Sequence, residues 1–210
     1  MKIISPGYEI LTPIDRAHIL TAIETAARTC YKSEDKIGEG SAAKLVTRLV
    51  KLGHEAMLEH AGVTVKFICD RGVSHELVRH RIASYAQESQ RYVNYTKEKF
   101  GQEITVIAPC FWGAGSPAYT AWETACHQAE QAYFTLVAQG AAPEEARTVL
   151  PNSTKTEIIV TMNMRAWRHF FQLRTAKAAH PQMRELTIPL LAEFAAQLPE
   201  LFGDITTKNP

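Results

Sequence analysis

Arg79, His80 and Arg81 stand side by side, and after seven intervening residues that end in Gln87 and Glu88 come Ser89, Gln90 and Arg91. Guanidinium, imidazole, hydroxyl and amide groups in this density bind anions and polar heterocycles, and an apolar core has no use for them. If Arg79–Arg81 are helical, each is turned by roughly 100° from the last, so the three side chains serve different partners or different parts of one large ligand. If the chain beyond Ala86 is extended, Gln87, Ser89 and Arg91 share one side, because strand side chains alternate. That side suits a phosphorylated, hydrogen-bonding small molecule.

A second group lies near residue 170. Positions 163, 167, 170 and 174 step by four, three and four, which puts Asn163, Trp167, Phe170 and Arg174 on one helix face and Arg165, Arg168, His169 and Gln172 on the other. An arginine on an aromatic stripe is costly unless it is paired or bound to a ligand. Arg174 is therefore the stronger functional candidate, and Arg168 is expected as a solvated surface arginine. Arg165 and His169 either reach one anionic ligand together or form a polar face. From Arg165 to Arg184 there are five Lys or Arg and no Asp or Glu, a basic patch the size of one site. His180 precedes a proline, which biases it out of helix, and reads as a loop or capping residue.

Metal and hydrolase chemistry fit poorly. Around His54, Glu55, Glu59 and His60 the zinc motifs HExxH and HxxEH would need histidine at positions 58 and 57, where Leu58 and Met57 stand. His75 and His80, five apart, diverge on a helix. Ser89 has no nucleophile elbow, and neither a GxGxxG loop nor a phosphate-loop lysine motif is present. No metal is expected.

These residues must be positioned by a mixed set of elements. Lys2–Ser5 reads as a strand stopped by Pro6-Gly7. Thr12 and Pro13 read as the cap and first position of a helix to about Cys30, with Ile14, Ala17, Leu20, Ile23 and Ala27 inward. Ser41 opens a helix with Leu45, Leu49 and Leu52 inward, stopping near Gly53, and Val63–Cys69 is a strand. Ser74 is expected to cap a helix that carries Arg79–Arg81, with Val78, Ile82 and Tyr85 packed inward. Glu103–Ala108 reads as a strand, Ser116-Pro117 as the start of the longest helix, reaching Gly140, and Pro143 as the start of a short helix containing Arg147. A strand over Thr156–Thr161, a helix over Asn163–Arg174 and a last helix over Pro181–Leu198, kinked or divided at Pro189, complete the chain.

The chain has 210 residues, 46% of them hydrophobic, enough to bury one sizeable core. No repeat or linker appears, so a single domain over residues 1–210 is expected, α+β in class, with a small, mostly antiparallel sheet flanked by helices. A formal net charge of +1 argues against a general polyanion binder. Cys30, Cys69, Cys110 and Cys126 form no CxxC pair and fit reduced thiols; Met1–Gly7 lacks the apolar run of a signal peptide and no apolar run reaches membrane length, so a soluble cytoplasmic protein is expected.

The pattern Arg79-His80-Arg81, seven residues, Ser89 and Arg91 resembles the signature of the flavin-dependent thymidylate synthases. The resemblance extends, in order, through Gly53-His54-Glu55 to Glu59-His60, Ala146–Pro151, Asn163-Met164-Arg165 and Leu173-Arg174-Thr175 to Ala179-His180. It implies the thymidylate synthase-complementing fold and the conversion of deoxyuridylate (dUMP) to thymidylate (dTMP), with methylenetetrahydrofolate as carbon donor, FAD as redox carrier and NADPH as reductant. It also implies a homotetramer with active sites between subunits. Carried over by motif, Arg79, Gln87, Glu88, Ser89, Gln90 and Arg91 line the dUMP site, with Glu76 one helical turn before Arg79. Arg147 reaches the phosphate from a neighbouring subunit, and Arg174 faces the uracil as the catalytic cation. His80, Arg81, Asn163, Arg165 and His169 hold FAD, with Arg79 and Gln87 near both ligands. Ala86 stands where many members have Asn, and Gln87 where they have Glu, which exchanges a carboxylate for an amide.

Two other readings compete. One is an RNA- or DNA-binding module that stacks bases on Tyr92, Tyr95, Trp167 and Phe170. The other is a nucleotide-binding flavoprotein without synthase activity.

Overall fold

A computed structural model of the chain describes residues 1–98 and 101–208. Strand β1 (Lys2–Ile4) is stopped by Pro6, as expected, but the chain at once begins a second strand, β2 (Gly7–Ile10). Helix α1 (Arg16–Tyr31) starts later than Thr12-Pro13 suggested. Thr12 Oγ1 accepts the Thr64 N–H at 3.2 Å and Thr12 N–H donates to the Thr64 carbonyl at 3.3 Å, which keeps the chain extended there. Asp15 caps instead, accepting the His18 N–H at 3.0 Å. The buried stripe accordingly shifts to Ile19, Leu20, Ile23 and Ala27, and Ala17 is exposed. Helix α2 (Ser41–Leu52) ends on Gly53 at φ 72°, a left-handed position that glycine adopts without steric cost. Leu52 is 54% exposed rather than inward.

A 3-10 turn over Glu55–His60 leads into β3 (Gly62–Asp70), whose alternate residues Val63, Val65, Phe67 and Cys69 are buried. Gly62 allows a close approach: a Cβ there would lie 3.1 Å from the Met162 carbonyl oxygen. Helix α3 (Arg71–Leu77) is capped by Asp70, whose carboxylate accepts the Val73 N–H at 2.7 Å. Ser74 is thus inside the helix, not its cap, and the helix ends before Arg79. Then come β4 (Ala83–Gln87), β5 (Thr105–Ile107) and α4 (Pro117–Ala138), the last capped by Ser116 as the sequence implied. Helix α5 (Pro143–Ala146) stops one residue short of Arg147, which opens a 3-10 turn. Strand β6 (Lys155–Asn163) precedes α6 (Met164–Arg174), capped by Asn163. Helix α7 (Pro181–Gln197) runs unbroken through Pro189, and an unforeseen helix, α8 (Pro199–Lys208), follows it.

The fold is α+β with a four-stranded antiparallel sheet in the order β2-β3-β6-β4 and a parallel pair β1-β5 in which Lys2 faces Thr105. The chain forms two compact units, one from Met1–Gly7, Phe67–Arg79 and Ala86–Ile158, the other from Tyr8–Lys66, His80–Tyr85 and Ile159 onward. The first is packed around Tyr95, Ile104, Val106, Cys126, Tyr133 and Ala146. The second is packed around an aromatic cluster in which Trp167, Phe171, Phe194 and Phe202 meet with ring centroids 5.2–5.7 Å apart. Among the described residues no helix is long and apolar enough to cross a membrane.

Candidate active site

The basic tripeptide lies in the turn between α3 and β4, not on a helix. Arg79 N–H donates to the Glu76 carbonyl at 3.2 Å, a tightening that closes the helix. Ile82 then takes φ 66°, a left-handed conformation that a β-branched residue adopts only under strain, and its side chain is 78% exposed rather than inward. The reversal sends Arg79 and Arg81 outward while His80 is buried, 7% exposed. The expected helix does not reach the tripeptide, and burial sets His80 apart from its two exposed neighbours.

In the second unit His80 meets α6. Arg174 Nε donates to His80 Nε2 at 2.8 Å, and the imidazole packs edge-on against Phe170, centroids 5.0 Å apart, and near His169 at 5.9 Å. A guanidinium can only donate, so Nε2 is unprotonated and the ring proton sits on Nδ1. Burial, the adjacent Arg174 charge and His169 push the His80 pKa down to about 4, so the imidazole is neutral at physiological pH.

The exposed face of the same helix borders a cleft of about 290 Å³, lined by Arg81, Asn163, Arg165 and His169 together with Glu55, Glu59, Ile82 and Gln172. A shallower recess of about 550 Å³ shares Glu59, Ile82 and Asn163 with it. Asn163 Oδ1 caps α6 by accepting the Ala166 N–H at 2.8 Å, which leaves its amide nitrogen to donate. Arg165 is not presented to an anion alone: its Nη1 lies 2.5 Å from Glu59 and its Nε 3.6 Å from Glu55. Two carboxylates beside two guanidiniums make this cleft nearly neutral. Amides and an exposed aliphatic side chain fit the polar edge and apolar face of a flavin or adenine ring, and a bare phosphate would be opposed by Glu55 and Glu59.

In the first unit β4 ends at Gln87, and Ser89 turns the backbone by accepting the Tyr92 and Val93 N–H groups at its carbonyl. Ser89 Oγ accepts the Arg91 N–H at 3.3 Å, so the strand alternation proposed for Gln87, Ser89 and Arg91 stops at the first of them. Gln87 Nε2 donates inward to Ser74 Oγ at 2.9 Å and Thr156 Oγ1 at 3.2 Å. Because Ser74 Oγ donates to the Arg71 carbonyl, it can only accept from Gln87, and the amide orientation is fixed with Oε1 turned away from the hydroxyls. Glu88 pairs with Lys155 at 3.2 Å, and Lys155 also meets Glu157 at 2.6 Å. Gln90 lies beside the Tyr95 hydroxyl, whose pKa burial pushes up to about 12. Arg91 pairs with Glu144, three residues before Arg147, at 3.5 Å. Glu76 is half-buried on the last turn of α3.

Several residues were not foreseen from sequence. Glu55 and Glu59 balance the α6 cations; their spacing of four was visible, their partner was not. Ser74, Thr156 and Lys155 orient Gln87 and Glu88 from distant segments. Arg168, expected at the surface, is buried: it forms a bidentate pair with Asp204, at 2.7 and 3.0 Å, and also donates to the Leu201 carbonyl, anchoring the unforeseen α8. The base-stacking reading fails on burial, because Tyr95, Trp167 and Phe170 are interior and only Tyr92, 78% exposed beneath Arg91, offers a face. Among the described residues no group of three or more His, Cys, Asp or Glu is placed to hold a metal.

Comparison with known proteins identifies the family and the fold. Residues 14–200 match the family described as thymidylate synthase complementing protein. A flavin-dependent thymidylate synthase of Geobacter sulfurreducens is 37% identical over 190 residues, covering 87% of this chain and 80% of the relative. One of Pyrococcus furiosus is 38% identical over 165 residues, covering 78% and 67%. Among solved structures, the UMP/dUMP methylase PolB from Streptomyces cacaoi, bound with 5-Br dUMP, superposes with a TM-score of 0.80 at 25% identity, covering 99% of this chain and 97% of that one. With the signature turn, the α6 cations and the fold all accounted for, the chain belongs to the flavin-dependent thymidylate synthase family of methyltransferase enzymes.

Proposed function

We propose that this protein converts dUMP to dTMP by reductive methylation, with methylenetetrahydrofolate as carbon donor, FAD as redox carrier and NADPH as reductant, as a cytoplasmic homotetramer. The observation that carries the reading is Arg174 at the end of α6, fixed by His80, on the same helix whose exposed face borders the nearly neutral cleft.

Asn163, Arg165, His169 and Arg81, with Ile82 as an apolar wall, hold FAD; Arg79 and Gln87 complete its surroundings by motif. FAD bound there supplies the redox chemistry by which methylene and hydride reach the base. Glu76, Arg79, Gln87, Glu88, Ser89, Gln90 and Arg91 hold dUMP, and Arg147 of a neighbouring chain reaches its phosphate. Gln87, with its amide nitrogen spent on Ser74 and Thr156, presents Oε1 as a neutral acceptor for a ligand N–H or O–H. Arg174 opposes the negative charge that develops on the pyrimidine ring, which makes C5 a carbon nucleophile; a fixed cation at such a position is worth about 3–4 kcal/mol of barrier. No protein thiol is assigned as nucleophile. Of the four cysteines, Cys69 is buried, with its pKa pushed up to about 12.

The test is NADPH oxidation by the FAD-loaded protein with and without dUMP and methylenetetrahydrofolate, with dTMP measured as product. Product that depends on all the substrates is expected. NADPH oxidation with no dTMP would leave a nucleotide-binding flavoprotein, and a protein that takes up no FAD would remove the reading altogether.

A further inference from the structure

An arginine that stabilises charge must hold its plane, and fixing this long side chain costs up to about 2 kcal/mol of rotamer entropy. Arg174 is the last residue of α6, where helices fray. Its backbone is held by Thr187, whose hydroxyl donates to the Arg174 carbonyl at 2.9 Å. Its guanidinium is held at Nε by His80 Nε2 at 2.8 Å. His80 is itself immobilised: its carbonyl accepts the Tyr85 hydroxyl at 2.5 Å, and its ring packs edge-on against the fully buried Phe170, one helical turn before Arg174. The strained turn through Ile82 is what aims His80 inward while its neighbours point out.

We propose that His80, the central residue of the basic tripeptide, is a positioning residue for Arg174, its bare Nε2 fixing the guanidinium plane and hence the direction of the two terminal nitrogens toward the pyrimidine. This rests on the dUMP reading of Arg174 and departs from the motif assignment of His80 to FAD, since the ring nitrogen that faces α6 is already engaged. The arrangement requires a neutral imidazole, because a protonated ring has no acceptor for a guanidinium. Burial and the neighbouring cation supply that condition.

His80→Leu removes the acceptor, and His80→Gln restores one at similar reach through Oε1. His80→Leu is expected to lower kcat for dTMP formation about 10- to 100-fold, the scale of a small misplacement of a catalytic group, while bound FAD per chain stays near the wild-type value. His80→Gln recovers most of that loss. On an Arg174→Ala background, His80→Leu adds less than about twofold, the signature of two residues acting as one unit. Multiplicative losses in the double variant, no rescue by glutamine, or a loss of FAD that by itself accounts for the lower rate would each overturn the proposal. If the wild-type protein makes no dTMP, the dUMP reading fails separately, and the pair is judged by the His80 ring nitrogen-15 signals. An Nδ1–H tautomer that changes in Arg174→Ala supports it, and an Nε2–H tautomer in the wild type sinks it. The same signals decide the matter if His80→Leu does not fold.

Discussion

In the proposed site, Arg174 and His80 divide one task between a charge and the group that aims it. Arg174→Ala is expected to fold and to lose dTMP formation by roughly 10²–10³-fold, as when one preorganised donor is removed from other active sites; steady-state kinetics with a melting curve check both halves. His80 also couples stability to pH. Its imidazole titrates near 4 in the folded chain against 6.5 when unperturbed, held down by burial, Arg174 and His169. The unfolded chain therefore binds a proton first, and stability present above pH 6.5 is lost as pH falls toward 4, by about 2–3 kcal/mol in all. Chemical denaturation between pH 8 and 4.5 should show this acid slope, and His80→Gln should flatten it.

Helix α6 does two jobs with two faces and a third with an arginine between them. Its apolar face carries Trp167, Phe170 and Phe171 into the core, its exposed face brings Arg165, His169 and Gln172 to the cleft, and Arg168 turns inward to Asp204 and the Leu201 carbonyl on α8. Removing one partner of a buried pair leaves the other charge uncompensated. Arg168→Ala should therefore destabilise the fold by about 3 kcal/mol, visible as a lower denaturant midpoint, whereas an arginine at the surface would cost almost nothing. FAD binding per folded chain should survive the change, because Arg168 does not line the cleft. The turn over residues 79–82 works by the opposite means: strain at Ile82 is tolerated because it buries one residue of the tripeptide and exposes the others.

At the scale of the whole molecule, the proposed homotetramer is what would bring Arg147 of one chain to the dUMP site of another. Light scattering on the eluting protein should give four times the 23.4 kDa chain mass. Arg147→Ala mixed with Arg174→Ala should regain activity if each chain lends residues to its neighbour's site, and an inactive mixture of well-folded, exchanging chains would place both residues in the same chain's site.

Local chemistry was enough to read much of this protein from its sequence. Alternation wrote β3 and β6, Ser116-Pro117 wrote the start of α4, and the 167, 170, 174 spacing wrote α6 with its aromatic face, because each depends on residues close in the chain; Asn163, placed on that face by the same spacing, is instead the extended cap that borders the cleft. The residues that could build a polar-ligand site stood out for the same reason: clustered cations and amides have few other uses. What the sequence could not decide depended on partners far away in it. Thr12 looks like a helix cap until Thr64 takes it into extended pairing, Arg168 looks like a surface residue until Asp204 meets it 36 positions later, and His80 looks like a ligand-binding imidazole until Arg174, 94 positions on, takes its acceptor nitrogen. A hydrogen bond is satisfied by whichever group the fold delivers, so residue types set what could bind, and tertiary structure alone chose which atoms were already engaged.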